Sequence, residues 1–398
     1  SEESYEIWGN GAKVAENPTL ANNELRETEF CVAATSNNQY TLKMKDSFGD
    51  SWTAGAWISV EGIYGNIAYK GFLTENSLEE VPISLYYGVT KEAQWKMTSG
   101  SVSGTWTEYN FGDSSWTQVT LGSVTETTSG PQYFRKQFSG LSGMAAYELS
   151  MNYRYGIVAY INGNEILRDN MPEGAITSST MASGSYTAVE YHSFIRPAAE
   201  VANSQSVLAV EVHFTSTPGQ TYVDFDAFLA IYASSTKTGE ESCYVYPYTV
   251  SVSSSQGSNS NYIFDWNKSN AFTATAAQLP ATVTYTVSGP KAYVNGVRVW
   301  PYSSPTYAPS TFTLQGATSA TATTWTNVIT ASNIVYTSST FNIAQGYFNA
   351  AMFANYRIQI TSSSTTSVSA YEMQLVTCAT AIPTSIEFDE TQYSFYTK

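Results

Sequence analysis

Three features of this 398-residue sequence predict an all-β fold built as tandem antiparallel β-sandwich domains. Tyr (30 residues), Ser and Thr are abundant while charged residues make up only 13%, about half the usual share. Such side chains suit a pleated, half-buried surface. Apolar residues alternate with polar ones where runs can be read: Tyr40, Leu42 and Met44 point one way and Thr41, Lys43 and Lys45 the other, the period of a strand. The length accommodates two to four domains of roughly 100–200 residues, each able to bury its own core.

Residues 1–30 are acidic and polar, with little periodicity apart from Tyr5–Trp8, and read as an N-terminal arm. Ordering such an arm takes a neighbouring surface. A small β-domain is expected over 31–93. Its alternating run Tyr40–Lys45 is interrupted by Asp46-Ser-Phe-Gly-Asp-Ser-Trp52 and resumes at Trp57–Val60, so a hairpin with a Gly/Asp-rich tip is predicted. Two further domains follow at 94–235 and 243–378, separated by a polar linker at 236–242. Residues 379–398 are read as a closing strand, Ile386–Phe388 and Tyr393–Phe395, whose edge is open to pairing.

Several of these stretches resemble known families. Tyr40–Val60 resembles the DS-x-GD-x-W repeat of secreted protist and algal proteins, with Ser51 where that repeat carries a second Gly. Phe111-Gly-Asp-Ser-Ser-Trp116, Tyr133–Phe138, Tyr160-Ile-Asn-Gly-Asn164 and Ser206–His213 follow the order of the sugar-binding jelly-roll of family 2 glycoside hydrolases, Gly112 standing where that family has Asp. Ser310–Gly316, Trp325–Val328 and Tyr347–Ile360 resemble a discoidin-type (factor 5/8 C-terminal) domain, although the acidic and Asp-Gly turn residues of that family are missing around Ala317–Thr323. The resemblances imply galactose-binding-like jelly-roll sandwiches. They also imply a disulfide between Cys243 and Cys378, which bracket the last sandwich. Cys31 is then left as a buried small hydrophobe or an intermolecular partner.

The formal charge of −15 argues against nucleic acid or an anionic membrane surface as partner, since both demand Lys/Arg. No run of 18 apolar residues occurs, so no helical membrane span is expected. Ser1–Tyr5 has no signal-peptide character, and a mature form or a piece of a longer precursor is expected. Elbow, zinc, P-loop and dinucleotide motifs are absent. His192, in a Tyr-His-Ser loop, and His213, at a strand end, read as structural. The catalytic carboxylates of family 2 enzymes sit in a separate barrel, so no catalytic residue is assigned.

Calcium is the one cofactor the residues point to. Asp46 and Asp50 flank Gly49 and could share an ion; the alternative is that they cap turn amides. Asp224 and Asp226 are a second pair. Trp300 and Tyr302, beside Pro301, are the candidate carbohydrate platform on an apical turn, the alternative being packing against a sheet or neighbour. Trp8, Trp52 and Trp116 read as core or hairpin-packing residues. Asn267-Lys-Ser269 is the single N-x-[ST] sequon and is expected to carry glycan. Together these features predict a non-enzymatic extracellular structural or adhesive glycoprotein of a microbial eukaryote, a subunit of a cell-surface assembly or filament. Its expected partners are itself, other surface or matrix proteins, and glycans. The alternatives are a soluble lectin and a non-catalytic fragment of a larger secreted hydrolase.

Overall fold

A computed structural model describes residues 3–17, 26–30, 40–52, 55–74, 77–83, 85–102, 104–121, 130–216, 225–235, 243–302, 304–319, 321–336, 342–345, 352–363, 365 and 367–379. Cys31, Asp224 and the C-terminal strand lie outside them. The described chain is all-β, and every strand pair but one is antiparallel.

The first unit is a four-stranded sheet in the order Ala12–Asn17, Glu3–Gly9, Tyr40–Asp46, Leu78–Pro82. Residues expected to be an arm therefore supply two of its strands. Asn10 and Gly11, at φ 53° and 78°, form the Asn-Gly turn whose backbone twist matches the flanking strands. Ile7 joins Leu42 and Met44 in the core, and each such burial contributes about 1.5–3 kcal/mol. The predicted hairpin is also corrected. Tyr40–Asp46 pairs with Glu3–Gly9 and Leu78–Pro82, whereas Ile58–Glu61 pairs with Ile67–Gly71. The reason is the Asp46–Trp52 loop, which folds on itself and carries the chain out of the sheet.

The second unit is a sandwich. One sheet runs Asn164–Asp169, Gly156–Ile161, Ser206–His213, Gln132–Phe138, Gln94–Ser99, Thr117–Thr120. The other is Lys291–Ala292, Glu190–Pro197, Ala146–Tyr153, Asp226–Tyr232, Leu85–Val89. Phe134, Leu149, Ile157 and Leu208 are among the side chains filling the space between them. Beneath the Phe111–Trp116 segment the buried Arg135 Nε donates to Asp113 Oδ2 at 2.9 Å, and Trp106 stacks on Trp116.

The third unit is a second sandwich, closed by the Cys243–Cys378 disulfide, which links the paired strands Cys243–Val245 and Ser367–Cys378. Its other sheet is Val250–Ser254, Ala281–Val287, Asn355–Ser363, Pro309–Ala317, Thr326–Ala331. Two features bind the units into one body. Lys291–Ala292 of the third adds in parallel to Phe194–Ile195 of the second. A single hydrophobic core also runs from Leu42 and Phe72 of the first unit to Trp300 and Leu375 of the third.

Candidate functional site, a cleft where three units meet

Side chains on the outer face of a core strand must either meet water or another unit. On Ala146–Tyr153 the outer position Ser150 accepts the Ser193 hydroxyl at 2.8 Å within its own unit, whereas Glu148 meets other units. Glu148 is buried, and its Oε2 accepts the hydroxyls of Tyr232 (2.8 Å) and Tyr248 (2.9 Å). Tyr232 Oη in turn accepts from Asn66 Nδ2 at 3.0 Å, and Tyr87 donates to Asn66 Oδ1 at 2.7 Å. The Ile67 amide donates to Tyr248 Oη at 3.2 Å, and the Tyr232 and Tyr244 rings stack at 4.8 Å. One carboxyl group thus gathers the first unit (Asn66, Ile67), the second (Tyr232) and the third (Tyr248). Burial holds the Glu148 carboxyl above its ordinary pKa against the opposing effect of the tyrosine hydrogen bonds.

Above this network a cleft of about 430 Å³ opens, lined from all three units. Aromatic faces come from Tyr64, Tyr186, Tyr191 and Phe228, and polar groups from Asn66, Ser150, Ser193 and His192. His192, expected in a loop, lies within the strand Glu190–Pro197 and stacks on Tyr186 at 3.7 Å. Burial lowers its pKa, which keeps the imidazole neutral at pH 7. The Tyr191 hydroxyl is fixed on Asp226 Oδ2 at 2.6 Å, and the same carboxylate accepts the Glu92 amide. Lys91 Nζ stands 4.1 Å from the Tyr191 ring centre, 5.0 Å from Tyr64 and 5.3 Å from Phe228. The floor, rigid aromatic walls and few convergent polar groups are those of a small-molecule site.

The residues singled out from the sequence lie elsewhere. Trp300 is on the strand Gly296–Pro301 and only 5% exposed, wedged against Phe72 and Tyr371 at 5.5 Å each. It joins the first and third units and offers no open platform. The neighbouring Pro and Ser residues looked like an apical turn, but the strand runs up to Pro301. Tyr302 is 38% exposed and packs edge-on to Tyr371 at 5.1 Å. Both carboxylate oxygens of Asp46 are taken by turn amides, Phe48 N and Asp50 N at 2.9 Å each. Asp50 is exposed, and Asp46 acts as the turn-amide cap that was the alternative to sharing an ion. Asp226 is spent on Tyr191 and Glu92. His213 is buried between Thr180 O and Glu211 Oε2. Asn267 sits in a surface turn with its Oδ1 accepting the Ser269 amide at 2.8 Å.

Among the described residues no group of three or more His, Cys, Asp or Glu gathers as a metal site would. One carboxyl pair was missed by sequence reading: Glu372, wholly buried, beside Asp265. Glu372 Oε1 accepts the Asn267 amide at 3.0 Å, and the Glu372 and Asp265 carboxyl groups hydrogen-bond each other, which a proton held between them allows. Burial and the neighbouring charge push Glu372 far above the carboxylate range, and burial pushes Asp265 up to about 6. They stand 107 positions apart on separate segments, and no local spacing announces them.

No protein-family description matches the chain, and none of the curated proteins is similar to it in sequence. Solved structures with some likeness include the tandem CBM32-1 and CBM32-2 domains of Clostridium perfringens ZmpB in complex with GalNAc. They show 7% identity and a TM-score of 0.28 over 73% of this chain and 91% of that one. A chitosan-binding module from a Paenibacillus sp. IK-5 chitosanase/glucanase shows 19% identity and a TM-score of 0.28 over 33% of this chain and 98% of that one. The CBM32 of AlyQ, in complex with 4,5-unsaturated mannuronic acid, shows 20% and 0.27 over 32% and 95%. Likeness at this level assigns neither ligand nor role to this chain.

Proposed function

We propose that this protein is a non-enzymatic, extracellular carbohydrate-binding protein with an adhesive role, and that the three-unit cleft grips the glycan. The observation that carries the reading is the meeting of the Tyr64, Tyr186, Tyr191 and Phe228 rings with fixed amide, hydroxyl and imidazole groups in about 430 Å³. Sugar rings present C–H faces that stack on aromatics and hydroxyls that demand directed hydrogen bonds. Glu148 is the one carboxyl group in the lining, half of the pair that glycoside hydrolysis uses, and it is held by two tyrosines. The disulfide supports an oxidising compartment, and a glycan on Asn267 belongs to the same reading.

A second reading, self-association into a surface assembly, draws on Phe48 and Ile63, each 79% exposed at loop tips of the first unit. A glycan array tests the first reading. Defined glycans are expected to bind, with at least ten-fold loss in Tyr191→Ala while the far-ultraviolet spectrum and melting temperature hold. Binding that Tyr191→Ala leaves intact would move the site elsewhere, and an array without hits would favour the assembly reading.

A further inference from the structure

Lys91 stands out in this cleft. The chain carries 33 acidic and 18 basic residues, and lysines of the first unit close on carboxylates, Lys43 on Glu80 and Lys45 on Glu6 at 2.7 Å each, while another, Lys70, rests over Trp57 and Trp266 outside this cleft. Lys91 closes on none. Among the described residues no carboxylate lies within ion-pair distance of its ammonium, which instead rests over the rings of Tyr191, Tyr64 and Phe228. Its position is built. The Lys91 amide donates to Tyr64 Oη at 3.2 Å, the next amide, of Glu92, donates to Asp226, and Asp226 holds Tyr191. Tyr64, Tyr191 and the backbone under the ammonium are thereby fixed to one another, with Phe228 packed against both rings.

The remaining charges of the lining leave this cation uncompensated. Lys291 is a second cation on the rim, loosely paired with Asp169 at 3.7 Å. Glu148 at the floor is held toward its neutral form by burial, and burial likewise disfavours the charged form of His192. An ammonium held over aromatic faces without a counter-ion is a partly desolvated charge awaiting an anion.

We propose that the saccharide taken by this cleft is anionic, its carboxylate or sulfate oxygens meeting Lys91 while its ring lies along the aromatic wall. The proposal rests on the cleft being the glycan site and adds the ligand's charge class to it. The partner chemistry is a uronate or sulfate ester on a pyranose. In such a geometry truncating one member of a desolvated charge pair costs far more than losing a rim charge.

The test is titration calorimetry with matched pairs: trigalacturonate and its methyl ester, trimannuronate and mannotriose, and a 6-sulfated galactose trisaccharide and its unsulfated parent. At least one acidic member is expected to bind ten-fold or more tightly than its neutral partner. That preference should be lost in Lys91→Met, which keeps the stem, and largely retained in Lys91→Arg. It should also shrink as salt rises from 50 to 500 mM. A uronate pair and a sulfate pair responding differently identifies the anion. Neutral members binding as well as acidic ones, with loss in Tyr191→Ala, would overturn the charge assignment and leave the glycan site standing. Binding by no member, or binding insensitive to both Tyr191→Ala and Lys91→Met, would overturn both.

Discussion

Ser51→Gly should stabilise the protein. Ser51 sits at φ 74° in the loop that Asp46 caps, directly before the buried Trp52, whose Nε1 donates to Lys45 O at 2.8 Å. A residue with a Cβ pays about 1–2 kcal/mol to adopt the left-handed region. The Ser51 hydroxyl is also buried without a hydrogen-bond partner, which costs about 1–3 kcal/mol. Against these, glycine loses more conformational freedom on folding, about 0.5–1 kcal/mol. The balance is a gain of about 1 kcal/mol or more, measured as a raised urea midpoint at unchanged slope. Ser51→Ala separates the contributions, since it removes the hydroxyl but keeps the Cβ, and should gain less than glycine. Gly49→Ala, at φ 81° in the same loop, should lose about 1 kcal/mol. A Ser51→Gly protein no more stable than Ser51→Ala would refute the backbone argument.

Three other outcomes follow from the same reasoning. Replacing Cys243 and Cys378 together by Ser should cost roughly 4–5 kcal/mol by releasing a loop closed over 135 positions, seen as a lower denaturation midpoint equal to that of the reduced wild type. Trp300→Ala should cost about 3–5 kcal/mol through the cavity left beside Phe72 and Tyr371, while glycan affinity measured below the transition stays within two-fold. Because folding raises the carboxyls of Asp265 and Glu372, their contribution is fully present below the unfolded values near 4 and is lost as pH rises, through about 6 for Asp265 and higher for Glu372. Melting temperature should therefore fall between pH 4 and 7 more steeply in the wild type than in Glu372→Gln.

Much of the fold was legible because its signals are local. The alternation at Tyr40–Lys45 and the order of segments from Phe111 to His213 need only a strand's period and its turns. The N-terminal hairpin was equally local and was missed: its Asn10-Gly11 turn is a strong signal, but charged outer positions such as Glu6 and Lys13 hid the few apolar residues, Tyr5, Ile7 and Ala15, that meet the core. Trp300 was misplaced because a Pro and Ser context reads as a loop until the pairing with Ser367–Cys378 is known. The cleft was not legible. Tyr64, Lys91, Glu148, Tyr191, Phe228 and Tyr248 share no spacing, and each is an ordinary strand or turn residue until three units close around Glu148. Buried polar networks assembled from distant segments leave no periodic trace.

The most direct test of the central claim is a crystal structure of the protein with the tightest glycan from the array. The account predicts sugar density in the cleft, its ring against Tyr64 and Tyr191 and its hydroxyls within hydrogen-bond reach of the Asn66 and Ser193 side chains. Well-ordered sugar bound at another surface, with the cleft unchanged, would contradict it.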